Sequence, residues 1–440
     1  MADNLFPKDF LFGSATASYQ VEGALYEDGR TECIWDEFSR IPGKVWCGEN
    51  GNVAADQYHR VEEDVALMAK IGLQAYRFSV SWSRVLPNGG QEVNEKGIAY
   101  YRFLCQTLHR YGIKACLTIY HWDLPKELEA KGGWANRETS YAFQFYAETL
   151  YRELGDLVDM WITMNEPFCF CYLGYGNGVH APGRADWNDF ASAVHHANLA
   201  HGLAVESYRK TGLKAPIGIV WNPILPRPAT GRDEDKEAAE RASVFNNEIY
   251  MGPVFGKGYP TLATSEFGLK FPIEKGDEEI ISAPIDFYGI NYYNERPVER
   301  DSSLLGFKDA GTWEEETAMK WPIVEKGLLR VLRWMDSYSG HLPVYITENG
   351  SAEEDCVKEG RIHDKGRIDY IRKHLGVMKE AIAEGIPLKG YFYWSFIDNY
   401  EWTFGYTRRF GLVWCDYMTL RRIPKDSAWY MRDVIRSREE

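Results

Sequence analysis

The sequence has 440 residues, of which 45% are hydrophobic, so the chain can bury a large core. Its 50 basic and 64 acidic side chains give a net charge of −14, which disfavours nucleic acids and anionic membrane surfaces as partners. Residues 1–10 lack the apolar run of a secretory leader, and no apolar stretch of about 18 residues occurs elsewhere, so we expect a cytoplasmic protein that does not span a membrane.

Eight short runs of β-branched and aromatic residues alternate along the chain with longer segments of helical periodicity. This alternation is typical of repeated βα units and a parallel sheet. The predicted strands lie near residues 10–18, 73–82, 113–121, 157–165, 216–222, 286–293, 343–349 and 388–396. The pattern predicts an α/β fold, a single (β/α)8 TIM barrel with elaborated βα loops, and no linker divides residues 1–440 into further domains.

Crossover helices are predicted between these strands. The segment Val61–Ile71 places Val61, Val65 and Met68 on one apolar stripe, with acidic residues facing outward. The segments 138–154, 189–210, 233–250, 325–338 and 366–385 have a similar periodicity. The segments around 23–60, 166–188 and 294–324 are rich in Gly, Pro, Asp and Asn, and we expect them to be loops on the active face of the barrel.

The residues that close the predicted strands carry most of the chemistry, because the carboxyl ends of barrel strands converge on one site. In chain order they are Gln20 and Glu22, Arg77, His121 and Trp122, Asn165 and Glu166, Asn291 to Tyr293, Glu348 and Asn349, and Trp394 followed by Glu401 and Trp402. Glu166 and Glu348 end strands four and seven, nearly opposite each other across the barrel mouth. Glycoside hydrolysis requires one protonated carboxyl and one ionised carboxylate beside the bond, so this pair indicates a glycosidase.

Two short motifs surround these glutamates. Residues 163–167 (TMNEP) and 346–350 (ITENG) resemble the TxNEP and I/V-TENG signatures of glycoside hydrolase family 1. The resemblance extends over essentially the whole chain, including residues 10–23, 76–87, 121–125 and 394–402. It implies a retaining β-glucosidase-like enzyme in which Glu166 is the acid/base and Glu348 is the nucleophile.

The same resemblance implies roles for the surrounding residues. Asn165 would bind the sugar 2-hydroxyl, while Arg77 and Tyr293 would contact Glu348 and keep it ionised. The remaining substrate-binding positions that it implies are Gln20, His121, Trp122, Trp394, Glu401 and Trp402. These residues would bind the 3-, 4- and 6-hydroxyls and form the platform beneath the sugar, although Trp122 is also compatible with a place in the core.

Alternative functions remain open at this point. A 6-phospho-β-glycosidase would share the fold and both glutamates, but Glu401 and Trp402 are retained here, and a carboxylate near the 6-position would repel a phosphate. A non-catalytic sugar-binding barrel is expected to lack one carboxylate, whereas both are present. The sequence therefore favours an exo-β-glucosidase, with β-galactosidase or β-fucosidase activity also considered. We expect small β-glucosides or cello-oligosaccharides as substrates, as in cellulose degradation, and the sequence leaves the oligomeric state open.

Neither a metal nor a cofactor is predicted. His195, His196 and His201 share one helical segment without Asp, Glu or Cys at metal-ligand spacing, so we expect structural roles for them. The eight cysteines are scattered, without a Cys-x-x-Cys pair, and we expect buried, reduced thiols.

Overall fold

The computed structural model describes residues 6–311 and 315–437, and its centre is a closed barrel of parallel strands. The barrel strands are β1 (Leu11–Ala15), β2 (Ala75–Ser79), β3 (Lys114–Tyr120), β4 (Met160–Asn165), β5 (Ile217–Trp221), β6 (Phe287–Asn291), β7 (Val344–Asn349) and β8 (Leu388–Trp394). Each strand pairs with its neighbours in the chain, and β8 pairs with β1 to close the barrel. The predicted (β/α)8 fold is confirmed, and every predicted strand segment contains one of these strands.

The strands form where apolar residues face both ways, because a barrel strand is covered by side chains inside and by helices outside. All residues of β2, β4 and β5 are buried. Gly13 shows how closely the interior is packed, since a Cβ atom there would lie 2.6 Å from the ring of Phe392 and 2.7 Å from the carbonyl oxygen of Ala75. A larger residue in the middle of β1 would therefore push neighbouring strands apart.

In the described part of the chain, eight longer helices surround the barrel. They are α1 (Val61–Ile71), α2 (Glu95–Arg110), α3 (Glu138–Leu154), α4 (Trp187–Thr211), α5 (Asp233–Ser243), α6 (Glu325–Ser339), α7 (Lys365–Ala383) and α8 (Asp426–Arg436). Helix α4 begins where Asp186 accepts hydrogen bonds from the backbone of Asn188 and Asp189, and it is followed by Gly212 in a left-handed conformation. Helices α2 and α8 were not predicted, and the predicted helix 233–250 is divided at Ser243 by a π-helical segment, Val244–Glu248.

Short elements occupy the connections. The α-helical turns are Ser18–Val21, Ile34–Phe38, Trp82–Val85, Lys126–Glu129, Ile249–Met251, Thr261–Ser265 and Asp277–Ile281, and the 3₁₀ turns are Trp46–Gly48, Gln57–His59, Pro87–Gly89, Gly133–Ala135 and Trp402–Phe404. Strands Arg227–Pro228, Pro297–Arg300 and Phe307–Asp309 form a small sheet, and Val413–Cys415 pairs with Arg422–Pro424.

The predicted loop 166–188 is partly helical, because Cys169–Gly176 forms a π-helical segment. Two sequence predictions fall partly outside the described residues. They concern residues 312–314 of the predicted loop 294–324, and residues 1–5 of the segment 1–10, where no secretory leader is predicted. Within the described part of the chain, none of the helices combines the length and apolar character needed to cross a membrane.

Candidate active site

A cavity of about 540 Å³ opens at the carboxyl ends of the barrel strands. The predicted site residues that line it are His121, Trp122, Glu166, Tyr293, Glu348, Trp394, Glu401 and Trp402. Gln20, Arg77 and Asn165 are buried behind this lining and each contacts one of its members through a hydrogen bond. All the predicted positions therefore meet in one place.

The barrel strands place these side chains directly. Asn165 and Trp394 are the last residues of β4 and β8, and Glu348 is the second-to-last residue of β7. His121 follows the last residue of β3. Arg77 differs from the expectation that it closes its strand, because it lies in the middle of β2. Its guanidinium reaches the site from below, inside the barrel.

Glu348 is held by two donors, one on each carboxylate oxygen. Arg77 Nη1 donates to Oε1 over 2.6 Å, and the hydroxyl of Tyr293 donates to Oε2 over 2.7 Å. The side chains of Arg77 and Glu348 are only 1% and 5% exposed, so little water screens the ion pair. The contacts predicted for Arg77 and Tyr293 are therefore present.

Asn165 is fixed by the same guanidinium. Arg77 Nη2 donates to its Oδ1 over 2.6 Å, and Asn291 Nδ2 donates to the same oxygen over 3.0 Å. This orientation directs the Asn165 amide nitrogen towards His121 Nε2, at 3.2 Å. Trp122 Nε1 donates to the backbone carbonyl oxygen of Asn165 over 2.8 Å while its ring lines the cavity, so Trp122 is tied to the buried structure and also faces the open space.

Glu166 is the first residue after β4 and has different partners. Asn291 Nδ2 donates to its Oε1, and Cys169 Sγ donates to its Oε2 over 3.0 Å. No described Lys or Arg forms an ion pair with Glu166. The two glutamates therefore differ in kind, since only Glu348 has a paired cation.

Burial raises the pKa of both carboxyl groups. The pKa of Glu166 is raised to about 7, chiefly by burial and next by the negative charge of Glu348, against the hydrogen bonds from Asn291 and Cys169. Burial also raises the pKa of Glu348 above its ordinary value. This differs from the expectation that Arg77 and Tyr293 would keep the group ionised, although the Arg77 guanidinium and the Tyr293 hydroxyl do oppose the rise. When the pair carries a single negative charge, the ion pair with Arg77 places that charge on Glu348.

Gln20 and Glu401 form a polar group on the β8 side of the cavity. Gln20 Nε2 donates to the carbonyl oxygen of Tyr400 over 2.8 Å, to Oδ1 of Asn399 over 3.1 Å and to Glu401 Oε2 over 3.5 Å. Gln20 Oε1 is buried without a protein partner in the described part of the chain. Burial, together with the charges of Glu348 and Glu166, raises the pKa of Glu401 to about 8.

Aromatic rings form the wall beside this polar group. The ring of Trp402 lies 4.6 Å from that of Trp122 and also 4.6 Å from that of Trp35. The imidazole of His121 stacks between Trp394 and Trp402, with centroid distances of 6.0 and 6.1 Å. Such a wall offers flat apolar faces beside hydrogen-bonding groups, which suits the two kinds of surface on a sugar.

Three residues of the lining have left-handed backbone conformations that are unusual for side chains of this size. Their φ angles are +77° at Trp122, +51° at Glu166 and +49° at Trp402. Such conformations cost of the order of 1–3 kcal/mol each and persist only where surrounding contacts impose them. At each of these positions the turn directs a side chain into the cavity.

Two contacts of Glu166 were missed by the sequence reasoning. Asn291 was noted only as a residue that ends a strand, and it proves to link Glu166, Asn165 and Thr347 through hydrogen bonds. Cys169 was expected to be one of the inert buried thiols. Its position three residues after Glu166 was the only available signal, because a turn brings such residues together.

The remaining sequence predictions concern residues outside the cavity. His195 contacts Asp277 and Tyr259, His196 contacts the carbonyl oxygen of Trp134, and His201 contacts Thr163. Within residues 6–311 and 315–437 there is no group of three or more potential metal ligands, and the cysteines are free. The expectation of burial is wrong for Cys47 and Cys356, which are exposed.

The chain is similar to known proteins over nearly its whole length. Residues 2–440 match the model of glycosyl hydrolase family 1. Beta-glucosidase A of Thermotoga maritima is 44% identical over 98% of both chains, and a bifunctional beta-D-glucosidase/beta-D-fucosidase of Bifidobacterium breve is 39% identical over 98% of both chains. The crystal structure of the Thermotoga maritima beta-glucosidase in complex with deoxynojirimycin superposes with a TM-score of 0.96, at 44% identity and 99% coverage of both chains.

Proposed function

The chain belongs to glycosyl hydrolase family 1, and we propose that it is a retaining exo-β-glucosidase that removes terminal, non-reducing β-D-glucosyl residues. One observation carries the assignment of roles: Glu348 is paired with Arg77, whereas Glu166 in the same cavity has no cation and a pKa of about 7. Glu348 is thus suited to be the ionised nucleophile and Glu166 to be the proton donor.

The reaction then proceeds in two displacements. In the first, a carboxylate oxygen of Glu348 attacks the anomeric carbon while Glu166 gives its proton to the departing oxygen. The glycosyl-enzyme ester has no charge on Glu348, so the charge that helps to raise the pKa of Glu166 is removed. Glu166, which has already given its proton to the leaving group, therefore stays ionised and can accept a proton from the water that hydrolyses the ester.

Recognition of the sugar would use the polar group and the aromatic wall. Asn165 presents its amide nitrogen beside the nucleophile, next to the ring of His121. Among the described residues, Gln20 Oε1 has no partner, and the carboxyl group of Glu401 receives a single long hydrogen bond of 3.5 Å, from Gln20. Both side chains can therefore bind hydroxyl groups. These features support a neutral hexose in the inner part of the cavity.

The outer part of the cavity supports a neutral leaving group. The carboxamides of Asn222, Asn246 and Asn294 line it. Arg296 is the only Lys or Arg among the described residues that line the cavity, and it forms an ion pair with Asp309 at 2.9 Å. Amide groups donate and accept hydrogen bonds without charge, which suits a second sugar. Cello-oligosaccharides, and hence a place in cellulose degradation, are therefore part of the proposal.

Neither alternative is favoured. A phosphate-binding site would need free cations in the cavity, and a non-catalytic barrel would not need both a paired and an unpaired carboxyl group there. The similar relatives reported above are named as glucosidases or as a glucosidase/fucosidase.

Trapping of the glycosyl-enzyme tests the proposal directly. A 2-deoxy-2-fluoro-β-D-glucosyl substrate with a good leaving group forms the ester faster than the ester is hydrolysed. We expect stoichiometric inactivation and a mass increase confined to the peptide that contains Glu348. The α-anomer of the reagent is the control and should not react. A label on Glu166, or the absence of any label from an active enzyme, would contradict the assignment.

A further inference from the structure

Cys169 contacts Glu166 on the side away from Asn291. Its Sγ lies 3.0 Å from Glu166 Oε2, and its backbone amide donates to the backbone carbonyl of Glu166 over 2.9 Å. Both residues are buried, and Cys169 begins the π-helical segment Cys169–Gly176. The thiol is therefore held against the carboxyl group by the turn that joins the two residues.

Asn222 orients the thiol from the neighbouring strand. Its Nδ2 donates to Cys169 Sγ over 3.5 Å, and it follows β5 directly. The same strand binds the backbone of Glu166, whose amide donates to the carbonyl oxygen of Val220 over 2.9 Å. Because Asn222 occupies a lone pair of the sulfur, the thiol hydrogen is left to point at Glu166. Burial raises the pKa of the Cys169 thiol well above its ordinary value, so the group remains a donor.

The two donors on Glu166 differ in what they can do. The Asn291 amide nitrogen, which faces Glu166, can only donate, whereas a thiol hydrogen rotates and sulfur also accepts weakly. A neutral Glu166 can therefore carry its proton on Oε2 and turn it towards a substrate, because the thiol hydrogen of Cys169 can rotate away from that oxygen. An ionised Glu166 receives the thiol hydrogen bond in addition to the one from Asn291.

From this geometry we propose that Cys169, oriented by Asn222, is a positioning residue that stabilises the ionised form of Glu166 in the second displacement. The proposal depends on the acid/base role assigned to Glu166 above. A thiol that served packing alone would resemble Cys171, which is buried two residues further on and makes no side-chain hydrogen bond within the described residues.

Other ionisable groups also act on Glu166 and stay unchanged in the test. They are Arg77 from β2, Tyr293 after β6, Glu348 in β7 and Glu401 after β8. None of them contacts Cys169 through a hydrogen bond. A substitution at position 169 therefore isolates the thiol contribution to the ionisation of Glu166.

The pH dependence of kcat/KM for an aryl β-D-glucoside with a poor leaving group measures this contribution, because its basic limb follows the ionisation of the proton donor. Cys169→Ala removes a donor to the carboxylate, so the pKa of Glu166 should rise and the basic limb should move up by about 0.5 to 1 pH unit. Cys169→Ser keeps a donor and should restore a limb near that of the wild type. Cys171→Ala is the matched control and should leave the limb in place.

Titration of the ¹³C-labelled carboxyl group of Glu166, assigned with Glu166→Gln, provides a readout that does not need turnover. The same upward shift in Cys169→Ala, and a smaller one in Asn222→Ala, would support the proposal. A change below about 0.2 pH unit in Cys169→Ala, or an equal shift in Cys171→Ala, would overturn it. A wild type that titrates as expected but cleaves no glycoside would overturn the proposed function instead.

Discussion

Arg77 and Glu348 form a buried ion pair that joins β2 to β7 across the interior of the barrel, with 2.6 Å between Nη1 and Oε1. The second arm of the same guanidinium holds Asn165. A single cation thus positions the proposed nucleophile and the side chain that flanks it. Arginine suits this place because its planar fork can bond two acceptors at once, which an ammonium group cannot do with the same geometry.

Replacing Arg77 should move the acid limb of the pH profile. Arg77→Met removes the cation that opposes the effect of burial, so the pKa of Glu348 should rise further and the acid limb of kcat/KM should move up by about 1 to 3 pH units. Arg77→Lys keeps the charge and should move the limb less. Thermal unfolding should be recorded alongside, because an unpaired buried carboxylate costs about 3–5 kcal/mol. An acid limb that stays in place in a folded Arg77→Met would show that Arg77 does not control the nucleophile.

The two glutamates should respond differently to azide. Glu348→Gly lacks the nucleophile, so azide can attack from its side of the sugar and should give an α-glucosyl azide from a β-glucosyl substrate that has a good leaving group. Glu166→Ala still forms the glycosyl-enzyme, and azide should then give a β-glucosyl azide. Glu166→Ala should lose most activity on poor leaving groups, by about 10² to 10⁴-fold, since these need protonation.

NMR of the products decides between the roles, because it identifies the anomer directly. The wild type without azide is the reference, and its first product should be β-glucose. An α-azide from Glu166→Ala together with a β-azide from Glu348→Gly would mean that the roles are reversed.

Glu401 should make the ligand-free enzyme less stable as the pH rises. Its pKa is raised from 4.5 to about 8 in the folded protein, so the folded state binds this proton more tightly than the unfolded state. The protonated form stabilises the fold fully below about pH 4.5, and that stability is lost as the pH rises towards 8. Glu401→Gln resembles the protonated form and does not titrate.

The unfolding free energies of the wild type and Glu401→Gln should therefore diverge between pH 5 and 8, by up to roughly 4 kcal/mol in favour of the variant. Chemical denaturation at several pH values measures the difference. Glu354→Gln, at an exposed position, serves as the control and should show a constant difference. A difference between the wild type and Glu401→Gln that does not change with pH would contradict the raised pKa.

The barrel could be predicted because its strands are apolar on both faces and are spaced by helical segments, and these properties are local. Helix α2 was missed although Ile98, Tyr101 and Leu108 share a buried face, because Gly97 and adjacent tyrosines weaken the helical pattern in sequence. Helix α5 was predicted to be too long, since the π-helical segment after Ser243 continues its periodicity.

The composition of the site could be predicted from the ends of the strands, but its contacts could not. Arg77 lies inside the barrel, and Asn291 bonds residues more than 50 positions away along the chain. The positive φ angles of Glu166 and Trp402 have no sequence signal, because neither residue favours that conformation. Such features depend on the packing of several strands together.

Glu401 also leads to a prediction about what the enzyme rejects. The sequence suggested that a carboxylate at this position would repel a 6-phosphate, but with a pKa of about 8 the group is mostly neutral at pH 7 before substrate binds. The 6-phosphate must then be rejected chiefly because of its desolvation cost. It would carry nearly two negative charges into a cavity whose only described Lys or Arg, Arg296, is already paired with Asp309.

We expect kcat/KM for nitrophenyl β-D-glucoside to exceed that for its 6-phosphate by roughly 10⁴-fold, because a site built to bond a hydroxyl group leaves its polar groups unpaired against a mismatched analogue. Glu401→Ser removes the carboxyl group and opens space, so it should reduce activity on the glucoside and narrow the preference for the glucoside over its 6-phosphate.

Glu401→Gln keeps the shape of the side chain without any charge, so it separates repulsion by the carboxylate from desolvation of the phosphate. If desolvation dominates, Glu401→Gln should keep most of the wild-type preference at pH 7, and only the wild-type preference should increase further above pH 8, where Glu401 ionises. Comparable rates on both substrates in the wild type would contradict the place given to Glu401, and an unchanged preference in Glu401→Ser would assign the discrimination to other residues of the cavity.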